Sequence, residues 1–496
     1  MAFVTLDIPP GLYRTGTDYM SKGRWLNASL WRWFSGEQRP VGGWVQRSKS
    51  PLAGRARAMI AWKTDAGKSW AAIGTHSHLF AMTAGGYLYD ITPDAFTAGH
   101  ADASQGGGYG KGIYNKGVYG RGAIDGMVTV DASQWVLDTW GEDLVGVMAE
   151  SGRIYQWAPD PATSAVAVSG APSAAAVIVT AERIMMALGA GGNPRQVAWS
   201  DREDNTAWSE GVTSYAGSFP LQTAGKVMCA RRVSGGTLIL TDVDAWLATF
   251  LGQPLVYGFT KVGAQCGIVS RGAIVTTDVQ AFWMSANGFW MFNGYSQPLP
   301  CDVHDHVFST LDMTQASKVT AVHVSAFGEI WWFYPSTDGQ GENDSYVVYN
   351  YREGHWNLGA MARGCGIDKG PFAYPMMCDV APDGDSVSVW DHENGVDHGG
   401  MRPFAESGPV ELGGGDSMLM VRRIIPDTRT LGDISLSLTL HNFPNDAPVA
   451  VAVGALSPQT DVRFSARAVS VKLSGADGTD FRVGRFRFDV VERGKR

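Results

Sequence analysis

The sequence predicts an all-β protein: a β-propeller of six or seven blades, followed by a small β-sandwich-like domain. Three observations point there. Between residues 55 and 405, short apolar strands recur in sets of three or four, repeating about every 40–50 residues with no helical periodicity. Gly (62), Trp (18), Tyr (16) and Phe (20) are abundant, which suits tight turns and pleated surfaces. Beyond residue 406 the strands alternate apolar and polar residues, the mark of a half-buried antiparallel sheet.

Residues 1–54 precede the first strand set and differ from it, so they form an N-terminal lead-in segment. Ala58–Trp62, Trp70–Thr75, His78–Thr83 and Tyr87–Ile91 read as four strands separated by turn residues. A second set follows at Trp135–Thr139, Leu144–Ala149 and Arg153–Trp157. Further sets begin near Ala175, Val227, Gly272, Lys318 and Pro371, and most carry an aromatic on the closing strand. Repeating blades hide sheet edges around a ring, whereas stacked sandwiches would leave the period unexplained. A Gly/Tyr/Lys-rich insertion near 100–125 interrupts the rhythm. ESGPVELGGG, from Glu406, reads as a linker into a C-terminal antiparallel β domain over 406–496. There, Ile434, Leu436, Leu438 and Leu440 are expected on one face, and Ser435, Ser437 and Thr439 on the other.

With 496 residues the chain is long enough for more than one core. Its net charge of −8 argues against a general nucleic-acid binder. That charge is divided: residues 1–50 and 460–496 each carry +4, which leaves −16 between them. Cys229, Cys266, Cys301, Cys365 and Cys378 are odd in number and scattered, so free thiols from a reducing compartment are expected. MAFVTLDIPPGLYR lacks a basic start and an apolar run, so no signal peptide is expected. The uncharged stretches Pro161–Ala181 and Val279–Cys301 are broken by Gly, Pro and Asn, unlike membrane spans.

Candidate chemistry is sparse. His304 and His306 flank Asp305 and would share a face on a strand, as a metal site requires, but no third ligand has a matching spacing. Ser200–Trp208 is a loose version of the Asp-box turn of sialidases and lacks its Gly. Gly189–Pro194 lacks the Lys-Ser/Thr of a phosphate loop and reads as a turn. No nucleophile elbow, zinc helix or paired-Cys motif occurs. The expectation is therefore a non-enzymatic protein with no catalytic residue, no metal and no cofactor.

The segment GGGYGKGIYNKGVYGRGA, Gly106 to Ala123, repeats Tyr, a cation and Gly three times. Its aromatics are Tyr109, Tyr114 and Tyr119, its cations Lys111, Lys116 and Arg121, and it contains no acid. So Gly-rich a run cannot build its own core. Cations interleaved with aromatics suit contact with phosphates and stacking on bases, or with a protein partner; a solvated spacer is the alternative.

At residues 24–46 the chain reads RWLNASLWRWFSGEQRPVGGWVQ. Asn27, Arg32, Gly36, Pro40, Gly42, Gly43 and Trp44 resemble the pattern that leads into the propeller of tail nozzle proteins of short-tailed bacteriophages, also called tail hub or packaged-DNA stabilisation proteins. Val197–Gly211, Tyr257–Val275 and Phe282–Gly294 resemble later stretches of the same family, in the same order. The resemblance implies a structural virion protein and a hexameric ring at the distal end of the tail. Such a ring continues the DNA channel, retains packaged DNA and takes part in its ejection. Implied partners are further copies of the chain, the adaptor or head–tail connector protein, tail fibres or spikes, and packaged double-stranded DNA, held transiently and weakly. Assembly in the host bacterial cytoplasm is implied too. The lead-in residues Asn27, Arg32, Gly42, Gly43 and Trp44 are expected to be structural, with Trp44 buried where the chain turns into the first blade. Tyr109, Lys111, Tyr114, Lys116, Tyr119 and Arg121 are the candidate DNA-gate or partner-contact loop. The rival readings are a propeller that binds or cleaves receptor glycans, marked by exposed aromatics and paired acids in one pocket, and a host scaffold propeller.

Overall fold

The computed structural model describes residues 2–106, 128–381, 386–412, 417–427, 430, 432–443 and 447–493. Among the described residues, seven four-stranded antiparallel sheets follow one another along the chain as blades of a propeller. Blade 1 runs through Ala56–Lys63, Ser69–Thr75, Leu79–Thr83 and Leu88–Asp90, and the four strands pair in chain order. The innermost strands of the next six begin at Trp135, Ala176, Val227, Ile274, Thr320 and Arg363. Each innermost strand lies beside the next, and Arg363–Ile367 lies beside Ala56–Lys63, so the ring is closed.

Closure depends on a strand from far away. Blade 7 draws Arg363–Ile367, Met376–Asp379 and Val389–His392 from its own stretch of chain, and its outer strand is Trp44–Gln46. The register sets Gln46 opposite Trp390, Val45 opposite Asp391 and Trp44 opposite His392. Trp44 therefore completes the last blade instead of packing on the first. A third strand left without a partner would expose a sheet edge, and the lead-in segment covers it. Trp44 stacks on His392 with ring centres 5.3 Å apart and meets His398 edge-on at 5.4 Å. The Arg363 guanidinium lies 4.8 Å from the Trp44 ring centre, and its Nε donates to His392 Nε2 at 2.8 Å. Burial and the Arg363 charge hold the His392 imidazole well below its ordinary pKa, so it is a neutral acceptor.

The remaining lead-in strands belong to the sandwich. Ala2–Leu6 pairs with Phe486–Glu492 in a four-stranded sheet. Trp25–Ser29 pairs with Phe404–Ser407 at the edge of a six-stranded sheet. Residues 1–54 are thus shared between propeller and sandwich rather than forming a unit of their own. The stretch expected as a linker also differs: Phe404–Ser407 and Val410–Glu411 both pair with Ala468–Gly475. Its Gly and Pro residues suggest a loop, but the neighbouring strand needs backbone partners. In Ile434–His441, Ile434, Leu436 and Leu438 are buried, as the alternation predicts. The largest apolar core runs without a break from blades 4, 5 and 6 into both sandwich sheets.

Arg32 is the fastener among these parts. Its side chain is 1% exposed, and the guanidinium grips two carboxylates. Nε and Nη2 donate to Glu329 of blade 6, both at 2.7 Å. Nη2 and Nη1 donate to Glu393, just beyond the third strand of blade 7, at 2.7 and 2.9 Å. The guanidinium carbon stands over the Phe327 ring, 3.7 Å from the ring centre. Glu393 also accepts the Gly42 N–H at 3.0 Å. A Cβ on Gly42 would stand 2.6 Å from the Glu393 Cα, and one on Gly43 would stand 2.4 Å from the Asp397 nitrogen, so neither position has room for a side chain.

Trp44→Ala is expected to destabilise the protein by about 3–5 kcal/mol, as truncation of a buried Trp does. Chemical denaturation checks this; an unchanged midpoint would mean that the last blade closes without Trp44.

Candidate functional site

In each blade the inner strand starts, and the second strand joins the third, at the same end of the sheet, because neighbouring strands are antiparallel. At that end the connection from Leu88–Asp90 to Trp135–Trp140 carries the predicted insertion. Its stem is a two-stranded hairpin of Ser104–Gly106 and Val128–Val130. Tyr109, Lys111, Tyr114, Lys116, Tyr119 and Arg121 lie outside the described residues, so the structure locates only the stem.

The stem is clamped by the segment that leads into blade 6, across the ring axis from the junction of blades 1 and 2. Gln315 Oε1 accepts the Ala103 N–H at 3.1 Å, and Gln315 Nε2 donates to the Ala103 carbonyl at 2.9 Å. Ser317 Oγ accepts the Ala132 N–H at 3.1 Å, and the Ser317 carbonyl accepts from Gln134 Nε2 at 2.7 Å. Both legs of the insertion are therefore fixed over the mouth of the axis.

Five charges hold the same place. Lys318, with a side chain 1% exposed, donates to Asp102 at 2.7 Å and to Glu342 at 2.9 Å. Arg55 pairs with Asp102 at 2.8 Å and also with Glu342. Arg57 pairs with Glu342 at 2.9 Å and donates to the Ala101 carbonyl. Burial opposes ionisation of Asp102, but the Lys318 hydrogen bond and the surrounding cations outweigh it and hold the carboxyl below its usual range. Among the described residues of this cluster, three cations face two carboxylates.

Below the mouth, Arg57, Arg231 and Arg271 line an axial cavity of about 90 Å³. Sequence reasoning missed them. The available signal was an arginine at or just before the inner strand of blades 1, 4 and 5, where side chains alternate between axis and core.

The other sequence candidates resolve into structure. His304 and His306 begin a short helix, His304–Thr310, and not a strand, so they do not share a face. Burial and Arg14 push His306 down to about 4. Among the described residues no group of three His, Cys, Asp or Glu is placed to hold a metal ion. In the Asp-box-like turn, Asp201 accepts the Tyr215 N–H at 2.9 Å and Trp208 Nε1 donates to the Asn205 carbonyl at 2.7 Å, so these groups brace the turn. The Asn27 backbone stands opposite Glu406 beside a bulge in the sandwich edge. Cys365 and Cys378 face each other across neighbouring strands of blade 7 as free thiols. A second concavity, about 480 Å³, lies on the sandwich and includes Tyr19, Glu406, Glu411, His441 and Phe443. Tyr19 and Phe443 are exposed there.

No protein-family model matches the chain, and no curated protein does. Among solved structures, the WD40 domain of Neurospora crassa Pan2 is 10% identical, with a TM-score of 0.41, covering 71% of this chain and 96% of its own. A streptogramin B lyase is 8% identical, with a TM-score of 0.40, covering 70% and 97%. Virginiamycin B lyase from Staphylococcus aureus is 7% identical, with a TM-score of 0.40, covering 70% and 98%. Likeness at this level carries no argument about activity; the propeller rests on its own sheet order.

If Asp102 anchors the stem by charge, Asp102→Asn lowers Tm at pH 7. A depressed folded-state pKa contributes stability above the unfolded value, about 4, and that contribution is lost as pH falls through the folded value. The gap between wild type and variant in a pH series of thermal melts is therefore expected to close below pH 4. A gap undiminished at pH 3 would assign the anchoring to shape and not to charge.

Proposed function

We propose that this chain is a structural virion protein of a short-tailed bacteriophage, one subunit of a hexameric nozzle at the distal end of the tail. The observation that carries the reading is the use made of the residues resembling the nozzle pattern. Arg32, Gly42, Gly43 and Trp44 join the lead-in segment to blades 6 and 7, and the same segment supplies strands to both sandwich sheets. A subunit that must stay rigid under the load of packaged DNA gains from a closed ring welded to a second domain.

In this reading the DNA channel lies between copies, since the axial cavities lined by described residues, about 90 and 20 Å³, are far too small for a duplex. The −16 carried by residues 51–459 favours transient, weak contact with packaged DNA, because each neutralised phosphate would add affinity and slow ejection. The adaptor or head–tail connector protein and the tail fibres or spikes are the proposed partners. No catalytic step belongs to the reading, and its setting is the virion, assembled in the host cytoplasm. One observation favours a second reading, receptor-glycan binding. The sandwich concavity sets exposed Tyr19 and Phe443 beside Glu406 and Glu411, although Lys472 and Lys22 pair with those acids.

Sedimentation of the purified protein, alone and with its adaptor ring, tests the proposal. A complex with the adaptor that adds a ring of this chain, and that binds duplex DNA weakly at low salt, is expected. No association with the adaptor, together with saturable glycan binding abolished by Phe443→Ala, would overturn the nozzle in favour of the second reading.

A further inference from the structure

The axial cavity has an unusual lining. Arg57 comes from the inner strand of blade 1, Arg231 from that of blade 4, and Arg271 from the lead into blade 5. Blades 1 and 4 stand on opposite sides of the ring, so their inner strands approach a common space only at the axis. Gln134 and Thr320 add polar side chains to the wall, and among the described residues no carboxylate lines it.

The cations are incompletely satisfied. Arg57 is 3% exposed; its Nη2 donates to Glu342 and to the Ala101 carbonyl, and its Nη1 reaches the His100 carbonyl only at 3.5 Å. Its Nε is buried without a hydrogen-bond partner among the described residues. Arg231 donates from Nη1 to its neighbour's carbonyl, Ala230, at 2.9 Å. Arg271 donates from Nη1 to the Met228 carbonyl. The acids nearest Arg271, Glu150 and Asp131, line an adjoining cavity with it, and Asp131 is paired with Lys226 at 3.1 Å. Burial pulls Arg271 below its ordinary pKa, the direction expected of a cation lacking full compensation.

We infer that the axial cavity is a binding site for a tetrahedral oxyanion, a phosphate group, held by Arg57, Arg231 and Arg271. A guanidinium fork matches oxyanion geometry, and forks arriving from three separate segments suit an anion with more than two acceptor oxygens. The cavity, about 90 Å³, matches the liquid volume of about three waters, enough for one such group and too little for a duplex. The bound anion ties blades 1, 4 and 5 together beneath the hairpin stem, through side chains that otherwise repel one another.

The test is calorimetric titration of the full-length protein with inorganic phosphate at constant ionic strength in chloride. One site per chain and a rise in Tm with phosphate are expected. Arg231→Gln, at a half-buried position, is expected to weaken binding at least tenfold with the Tm in phosphate-free buffer unchanged, and Arg271→Gln likewise weakens binding. Lys68→Gln, in the exposed turn between the first two strands of blade 1 and outside the cavity, leaves affinity unchanged. Acetate, with two oxygens, binds at least tenfold more weakly than phosphate. A 5′-phosphorylated dinucleotide that competes with phosphate marks a terminal phosphate as the natural source, and one that does not compete marks the free ion. No saturable phosphate binding, equal affinity in wild type and Arg231→Gln, or equal affinity for acetate would overturn the assignment.

Discussion

A buried guanidinium with two carboxylates holds the N-terminal segment in place, and the rest of the architecture depends on that attachment. Arg32 reaches Glu329 and Glu393 in two different blades, and the chain around it continues into the sandwich in one direction and into the closing strand in the other. Removing one member of such a buried group typically costs about 3–5 kcal/mol, because the others are left charged and unpaired. Burial by itself would penalise the cation, but the two carboxylates and their hydrogen bonds raise its pKa above the ordinary arginine value. The geometry is specific as well as strong: two bidentate contacts admit one orientation, which sets the register of Trp44–Gln46 against blade 7.

The molecule separates this fastening from its open chemistry. Glu329 begins the second strand of blade 6 and Glu393 follows the third strand of blade 7, so the weld lies at the end of the blades where first and second strands join. The axis mouth, with Lys318, Asp102 and the hairpin stem, lies at the other end. Such a division lets one face stay rigid against a second domain while the other presents charge. It also places the three axial arginines directly beneath the stem, where ligand binding and stem anchoring share Arg57.

Much of the fold was legible in the sequence because propeller strands pair with their neighbours along the chain. Alternation, turn residues and a regular period are local signals, and they located the blades between residues 55 and 405. Partner choice over long distances was not legible. Trp44 carries the same local pattern whether it opens the first blade or closes the last, and only the unpaired edge of Val389–His392 decides between them. Phe404–Ser407 lies beside a Gly- and Pro-rich stretch, yet the sandwich recruits it as a strand. His304 and His306 have strand-like spacing, and the local helix separates them. The axial arginines escaped notice for a similar reason: Arg57, Arg231 and Arg271 are far apart in the sequence, and only ring closure brings them to one cavity. The cations of the Tyr-Gly-Lys repeat were visible at once, and the structure contributes the position of the stem that carries them.

Hydrogen exchange on a chain lacking residues 1–50 tests most directly whether the N-terminal segment holds both domains. Amides of Val389–His392 and of Phe404–Ser407 are expected to lose protection together, while those of blades 2, 3 and 4 keep it. Adding the 1–50 peptide should restore protection at both places, and should fail to do so when it carries Arg32→Ala. Full protection of Val389–His392 in the shortened chain would contradict the account.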